Sequence, residues 1–159
     1  MEKERLKFSI ERFDNYFDSV NNKSNIVLGL CTLILGILIT GIPVINQKIE
    51  FNNYIKIYYG LLIGLSLFSM FILILTSIPH LNSNGKSVHF FKSISKMGKS
   101  NFMIKSKELT TENELKDLRK QVYHLASGLT LKFNRLKIAL IVLCTQIIIS
   151  IPLIITLVK

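Results

Sequence analysis

Tryptophan is absent from the 159 residues, and proline (three), glycine (eight) and cysteine (two) are scarce. So little proline and glycine excludes collagen-like and Pro/Gly-rich disordered chains. Two cysteines cannot make a disulfide scaffold. Charge is also scarce: 19% of residues are Asp, Glu, Lys or Arg, against about 25% in a soluble domain. Catalytic patterns are missing as well. His80, His89 and His124 stand apart, outside any metal-ligand spacing. There is no glycine-rich phosphate loop and no nucleophile elbow. The four carboxylates between 108 and 117 fall at a helix start, where they complement the helix dipole. The sequence therefore predicts no enzyme, no metal and no cofactor.

What is present is apolar sequence in long uncharged runs. Ile26–Ile45, Ile57–Pro79 and Ile138–Val158 contain no Asp, Glu, Lys or Arg. A helix needs about 20 apolar residues to cross a bilayer core. Three spans are expected, at 26–45, 57–79 and 138–158. The first is not a cleaved leader, because it follows a charged helical segment and lacks a small-x-small cleavage site. The fold class expected is all-α: one domain over 1–159, an integral membrane protein with three transmembrane helices and a cytoplasmic helical module.

The remaining charge is lopsided, with a formal net of +10. Residues 1–25 hold five bases and five acids. Residues 80–137 hold twelve bases against four acids, whereas the loop 46–56 has only Lys48 and Lys56. The positive-inside rule then puts 1–25 and 80–137 in the cytoplasm and 46–56 outside. Two readings of the basic excess stay open. It is a topology signal attracted to anionic lipid, or it binds an anionic ligand. Lysines alternate with aromatics over 87–104, but no nucleic-acid-binding signature accompanies them, so no nucleic-acid partner is expected.

Leu6, Ile10, Phe13, Phe17 and Val20 recur at helical spacing and predict an amphipathic helix over 1–25. Neither Gly nor Pro separates it from the first span, so the two should be continuous. Residues 81–86 read as a turn, and Gly98 should split 87–104 into two short helices. A long helix should begin at Thr111, with Thr111 and Glu114 as a capping box. Leu115, Leu118, Val122, Leu125 and Leu129 form a stripe that continues through Phe133, Leu136 and Leu140. This last helix runs into the third span, at about 70 Å for residues 111–158. Its stripe fits packing on the N-terminal helix or an oligomeric coiled coil. Within the spans, Gly29 and Gly36 share a face, Gly60 and Gly64 form a GxxxG, and Gln146 lies mid-span. A buried amide in lipid needs a partner, so Gln146 makes an interhelical hydrogen bond or lines a pore. Cys31 and Cys144 lie at similar depths without a redox spacing.

The order of these pieces carries a resemblance. A charged helix leads through Asn22-Lys23-Ser24 into the first span. The second span ends in Ile78-Pro79, and Phe90-Phe91 follows. Then come Asp117-Leu118-Arg119-Lys120-Gln121-Val122-Tyr123-His124-Leu125-Ala126, Leu131-Lys132-Phe133 and a terminal span. The chain resembles the Pycsar transmembrane effector family over nearly its whole length, most specifically at 117–133. That family more often carries Asp-x-Lys-Ala before the first span. Here Asn21-Asn22-Lys23-Ser24 has no acid. The resemblance implies a bacterial anti-phage effector of the inner membrane. Such an effector senses cyclic CMP or cyclic UMP from a cognate cyclase and impairs the membrane, giving abortive infection. A homo-oligomer in the lipid bilayer is the expected assembly. Candidate phosphate-binding residues are Lys92, Arg119, Lys120, Lys132 and Arg135. Phe91 and Tyr123 are candidates to stack on the base, and Gln121 and His124 to read its edges. Taken singly, each base fits a solvated or lipid-facing charge better than a ligand contact, and Phe91 and Tyr123 fit a core better. Two rival functions remain: a constitutive holin-like permeabilising protein, and a non-pore subunit of a membrane complex.

Overall fold

The structure, a computed structural model, describes residues 1–48, 52–78 and 87–158. It is helical, with no strand among the described residues. In chain order the helices are α1 (Glu2–Lys48), α2 (Asn53–Ser77), α3 (Phe91–Met97), α4 (Lys99–Lys107) and α5 (Thr111–Val158). Parts of α1, α2 and α5 are long and apolar enough to cross a membrane. The predicted continuity holds: α1 passes from the charged segment into the first apolar run without a break, and α5 does the same into the last. The turn expected over 81–86 lies outside the described residues.

Two local features bear on the expected boundaries. Helix α1 extends to Lys48 and α2 starts at Asn53, both inside the segment 46–56 expected between the first two spans. Asn52 is the cap of α2, and its Oδ1 accepts from the Ile55 amide. At the start of α5 the cap is Thr110, not Thr111. Thr110 Oγ1 accepts from the Asn113 amide at 3.3 Å. Glu114, the supposed return partner of a capping box, is turned instead to Lys3 and His89. Gly98 does separate α3 from α4. Its φ of +77° with ψ of 157° is open only to glycine at low cost.

The chain forms two compact units. One comprises Met1–Ser19 and Pro79–Leu131, the other Val20–Ile78 and Lys132–Lys159. In the first unit, Leu6, Ile10, Phe13 and Phe17 of α1 are half-buried, as the stripe predicted, and Leu118 and Leu129 of α5 are buried.

The second unit is an antiparallel packing of α2 against α5, completed by α1. As α5 advances through Arg135, Ala139, Gln146 and Ile149, its partners on α2 recede through Leu75, Ser69, Ser66 and Tyr58. Leu38, Ile45, Tyr59 and Leu62 form the apolar core, with Ile149 and Leu153 packed against them. The buried positions repeat at alternating steps of three and four. On α1 they include Val20, Ser24, Val27, Cys31, Leu38 and Ile45. On α2 they are Tyr59, Leu62, Ser66, Ser69, Leu73 and Thr76. That is coiled-coil periodicity. The stripe on α5 also keeps its heptad, and this corrects the sequence reading. Beyond Leu129 the buried face runs through Lys132, Leu136, Ala139, Leu143 and Gln146. Phe133 and Leu140 face outward.

Candidate functional site

In the first unit a side-chain network fixes the segment before α3 to α5. Ser87 Oγ donates to Asp117 Oδ2 at 2.7 Å, and the Val88 amide donates to the same oxygen. Gln121 Nε2 in turn donates to Ser87 Oγ at 2.9 Å. The amides of His89 and Phe90 also point at that hydroxyl. This is the turn chemistry that serine favours before a helix. Gln121 is thus engaged in holding the segment.

Ion pairs tie the start of α1 to α5. Arg119 grips Glu2 through two parallel hydrogen bonds, at 2.8 and 2.9 Å. Lys3 Nζ donates to Glu114 at 2.7 Å, and His89 lies 3.7 Å from the same carboxylate. The Lys3 hydrogen bond holds the Glu114 carboxyl below its ordinary value of 4.5. Desolvation opposes this, and the charges of Lys3, His89 and Lys7 reinforce it. A carboxyl with a lowered folded-state pKa contributes stability above its ordinary pKa and loses it as pH falls through the lowered one. Acidification below about pH 4.5 should therefore lower the thermal midpoint in detergent more for wild type than for Glu114→Gln. Circular dichroism melts at successive pH values check this.

Of the other candidates on α5, Lys120 and Tyr123 are exposed and His124 is half-buried. Tyr123 is 72% exposed, which removes the alternative that it is core. His124 stands edge-on to it, with ring centroids 6.0 Å apart. Lys116 and Lys120 are exposed, and at spacings of four and three they share the helix face of Tyr123. Lys92 on α3 is half-buried. Phe91 opens α3, and its side chain lies outside the described residues.

Lys132 and Arg135 belong to the second unit and serve its packing. Lys132 is only 6% exposed, and its Nζ donates to Asn21 Oδ1 at 2.9 Å. Burial, with Arg135 adding repulsion, pushes its pKa below the ordinary lysine value. Arg135 Nη1 donates to the Leu75 carbonyl at 2.8 Å. That carbonyl is in the last turn of α2, where helix oxygens lack intrahelical partners and a cation suits the dipole.

Deeper in the second unit, Gln146 is 1% exposed and donates to Ser66 Oγ at 2.6 Å. Its Oε1 has no partner among the described residues. The interhelical hydrogen bond is therefore present, with half of the amide unsatisfied. Gln146 also borders a cavity of about 290 Å³ with Ile34, Gly41, Tyr59 and Leu153. The expected glycines do not mediate packing within the chain. A Cβ on Gly29, Gly36, Gly60 or Gly64 would meet nothing within 4 Å. The close approach is instead at Gly41, where a Cβ would come 3.3 Å from Tyr59 Oη. Cys31 is buried and Cys144 exposed, both as free thiols.

Sequence reasoning missed Ser87, Asn21, Ser66 and Ser69. Extending the heptad count along each helix would have found the two α2 serines. Nothing local marks Asn21, whose partner lies on α5. Ser87 has the local signal of a serine ahead of a helix, but its partners on α5 are 30 or more residues away.

Three helices of spanning length and apolarity, in a chain whose residues 80–137 are rich in lysine and arginine, point to a helical membrane protein. The sequence model of the Pycsar effector protein domain matches residues 5–158, and the chain belongs to that family. Family membership makes it an effector of anti-phage signalling, in a family of membrane effectors rather than known enzymes. No curated protein and no solved structure matches the chain.

Proposed function

We propose that the chain is a ligand-gated membrane effector, opened by a cyclic pyrimidine mononucleotide, cyclic CMP or cyclic UMP. The observation that supports this reading best is the face of α5 that exposes Lys116, Lys120 and Tyr123, with half-buried His124 beside them. A large aromatic side chain held in solvent beside lysines suits a flat base joined to a phosphate. Tyr123 stacks on the base, Lys120 meets the phosphate, and His124 reads a base edge. Lys92 and Lys116 add positive field. Arg119 and Gln121 already have partners within the first unit, and Lys132 and Arg135 within the second.

The same helix that carries this face also carries an apolar run of spanning length. Ligand binding biases how copies of that helix assemble in the membrane. Gly29, Gly36, Gly60 and Gly64, open to any neighbour, supply the contact faces of a homo-oligomer. Gln146 supplies a polar group at mid-span. The excess of lysine and arginine in residues 80–137 sets that segment and the N-terminus in the cytoplasm of the bacterial inner membrane. The outcome is membrane impairment and abortive infection.

Dye release from liposomes holding the purified full chain tests this. Cyclic CMP, cyclic UMP and several cyclic dinucleotides are added in turn. Release with one cyclic pyrimidine mononucleotide and with no other addition is the expected result. Release without any nucleotide overturns gating in favour of a constitutive permeabiliser. Silence throughout overturns the pyrimidine ligand.

A further inference from the structure

On the outer surface of the second unit lies a groove of about 490 Å³, lined by Lys23 of α1 and a run of α5 residues. Its composition is ordered along α5. Lys137 and Lys23 stand at one end, beside the ring of Phe133. Leu136, Leu140, Ile141, Cys144 and Ile148 carry it onward as an apolar slot. From Lys137 to Ile148 the helix rises about 16 Å, close to the roughly 15 Å that one leaflet contributes to the hydrocarbon core. The groove therefore has the polarity and the length of a lipid: a cationic mouth above an apolar trough one leaflet deep.

Charge fixes which lipid. The sequence has no Asp or Glu from residue 19 to 49, from 51 to 107, or after Asp117. Lys23, Lys132, Arg135 and Lys137 gather at one end of the second unit, and the acid nearest to any of them in sequence is Asp18, five residues before Lys23 on α1. Two of these cations are turned inward, Lys132 to Asn21 and Arg135 to the Leu75 carbonyl. Lys23 and Lys137 are exposed, and neither pairs with a carboxylate among the described residues. A zwitterionic headgroup brings its own cation to such a mouth and gains little. An anionic phospholipid brings net negative charge that the residues lining the groove do not supply.

We propose that the groove between Lys23 and Ile148 is a binding site for an anionic phospholipid, with its phosphate at Lys23 and Lys137 and an acyl chain along α5. The site is separate from the nucleotide face and does not depend on that reading. It requires only that these helices lie in a bilayer.

Because the chain lacks tryptophan, a single introduced indole reports the groove alone. Ile141→Trp places it below Lys137, and Phe68→Trp places a control on an exposed face of α2. Each full-length variant is reconstituted with phosphatidylglycerol and phosphatidylcholine in equal amounts, one or the other brominated on its acyl chains. Fluorescence quenching then reads local lipid occupancy, with no nucleotide present. For Ile141→Trp, brominated phosphatidylglycerol should show an apparent affinity about fivefold or more above brominated phosphatidylcholine. Phe68→Trp should show no preference. Lys23→Gln with Lys137→Gln should erase the preference at Ile141→Trp while leaving the quenching by phosphatidylcholine. Equal quenching by both lipids at Ile141→Trp overturns the proposal. Quenching by neither means that protein, such as a second copy of the chain, fills the groove, and this overturns it too.

Discussion

Tyr123→Ala, combined with Lys120→Ala, should abolish nucleotide-dependent dye release while leaving insertion and helicity intact. Tyr123 is 72% exposed and makes its ring contact with its neighbour His124. Removing the ring therefore creates no cavity. Surface changes of this kind usually move stability by no more than about 0.5 kcal/mol. The expected functional loss is much larger. Stacking of a base on an aromatic ring contributes about 1–3 kcal/mol, and a charge-assisted hydrogen bond to phosphate about 1.5–3 kcal/mol. Each single variant should weaken nucleotide affinity roughly tenfold or more, and the pair roughly a hundredfold or more. Titration calorimetry on the detergent-solubilised chain measures this. Tyr123→Phe keeps the stacking surface and should retain most of the affinity. Unchanged affinity in the double variant would show that the ligand binds elsewhere.

The second large effect is expected at Lys132, and its sign depends on which partner is removed. Asn21→Ala takes away the carbonyl that receives the buried ammonium. A hydrogen bond to a charged group is worth about 1.5–3 kcal/mol, and the penalty grows when a buried charge is left behind. The thermal midpoint should fall clearly. Lys132→Met removes the charge itself and fills the heptad position with an apolar side chain of similar length. That change should be neutral or stabilising. The two variants also separate by pH. The folded-state pKa of Lys132 is lowered by burial and then by Arg135, so the charged form costs folding free energy. The cost eases as pH rises through the lowered value and is gone above the ordinary lysine value of 10.5. Wild type should therefore gain stability relative to Lys132→Met on going alkaline. Lys132→Met should also keep its response to nucleotide. A stable Lys132→Met variant that no longer responds would return this ammonium to the ligand site.

Much of the architecture was legible because membranes impose simple rules. Uncharged runs of twenty or more residues gave the three candidate spans. The absence of Gly or Pro between Asn21 and Ser24 gave the continuity of α1, and Gly98 gave the break between α3 and α4. The stripe on α5 was followed correctly to Leu129. Beyond it, hydrophobicity selects Phe133 and Leu140, which face outward. In an apolar span every residue is a plausible inward residue, so hydropathy loses its power to assign faces. The heptad count keeps that power, and it leads to Lys132.

The candidate site was less legible. Nine residues shared the right chemistry, but side-chain type does not say which charges are already spent. Arg119 is spent on Glu2, Gln121 on Ser87, Lys132 on Asn21 and Arg135 on the end of α2. The GxxxG in α2 was chosen because small residues permit close approach. The serines at 66 and 69 face α5 instead, since their hydroxyls can bond across an interface where glycine offers only space.

By itself, the sequence determined that this chain is helical, carries three runs able to cross a bilayer, and concentrates its positive charge in residues 80–137. Those properties follow from local composition and from the length a bilayer requires. Only the tertiary structure decided which lysines and arginines stay open, which serines hold α2 to α5, and that an apolar groove ends at Lys23 and Lys137. Each of these depends on pairs of residues far apart in the chain, whose meeting is set by helix register.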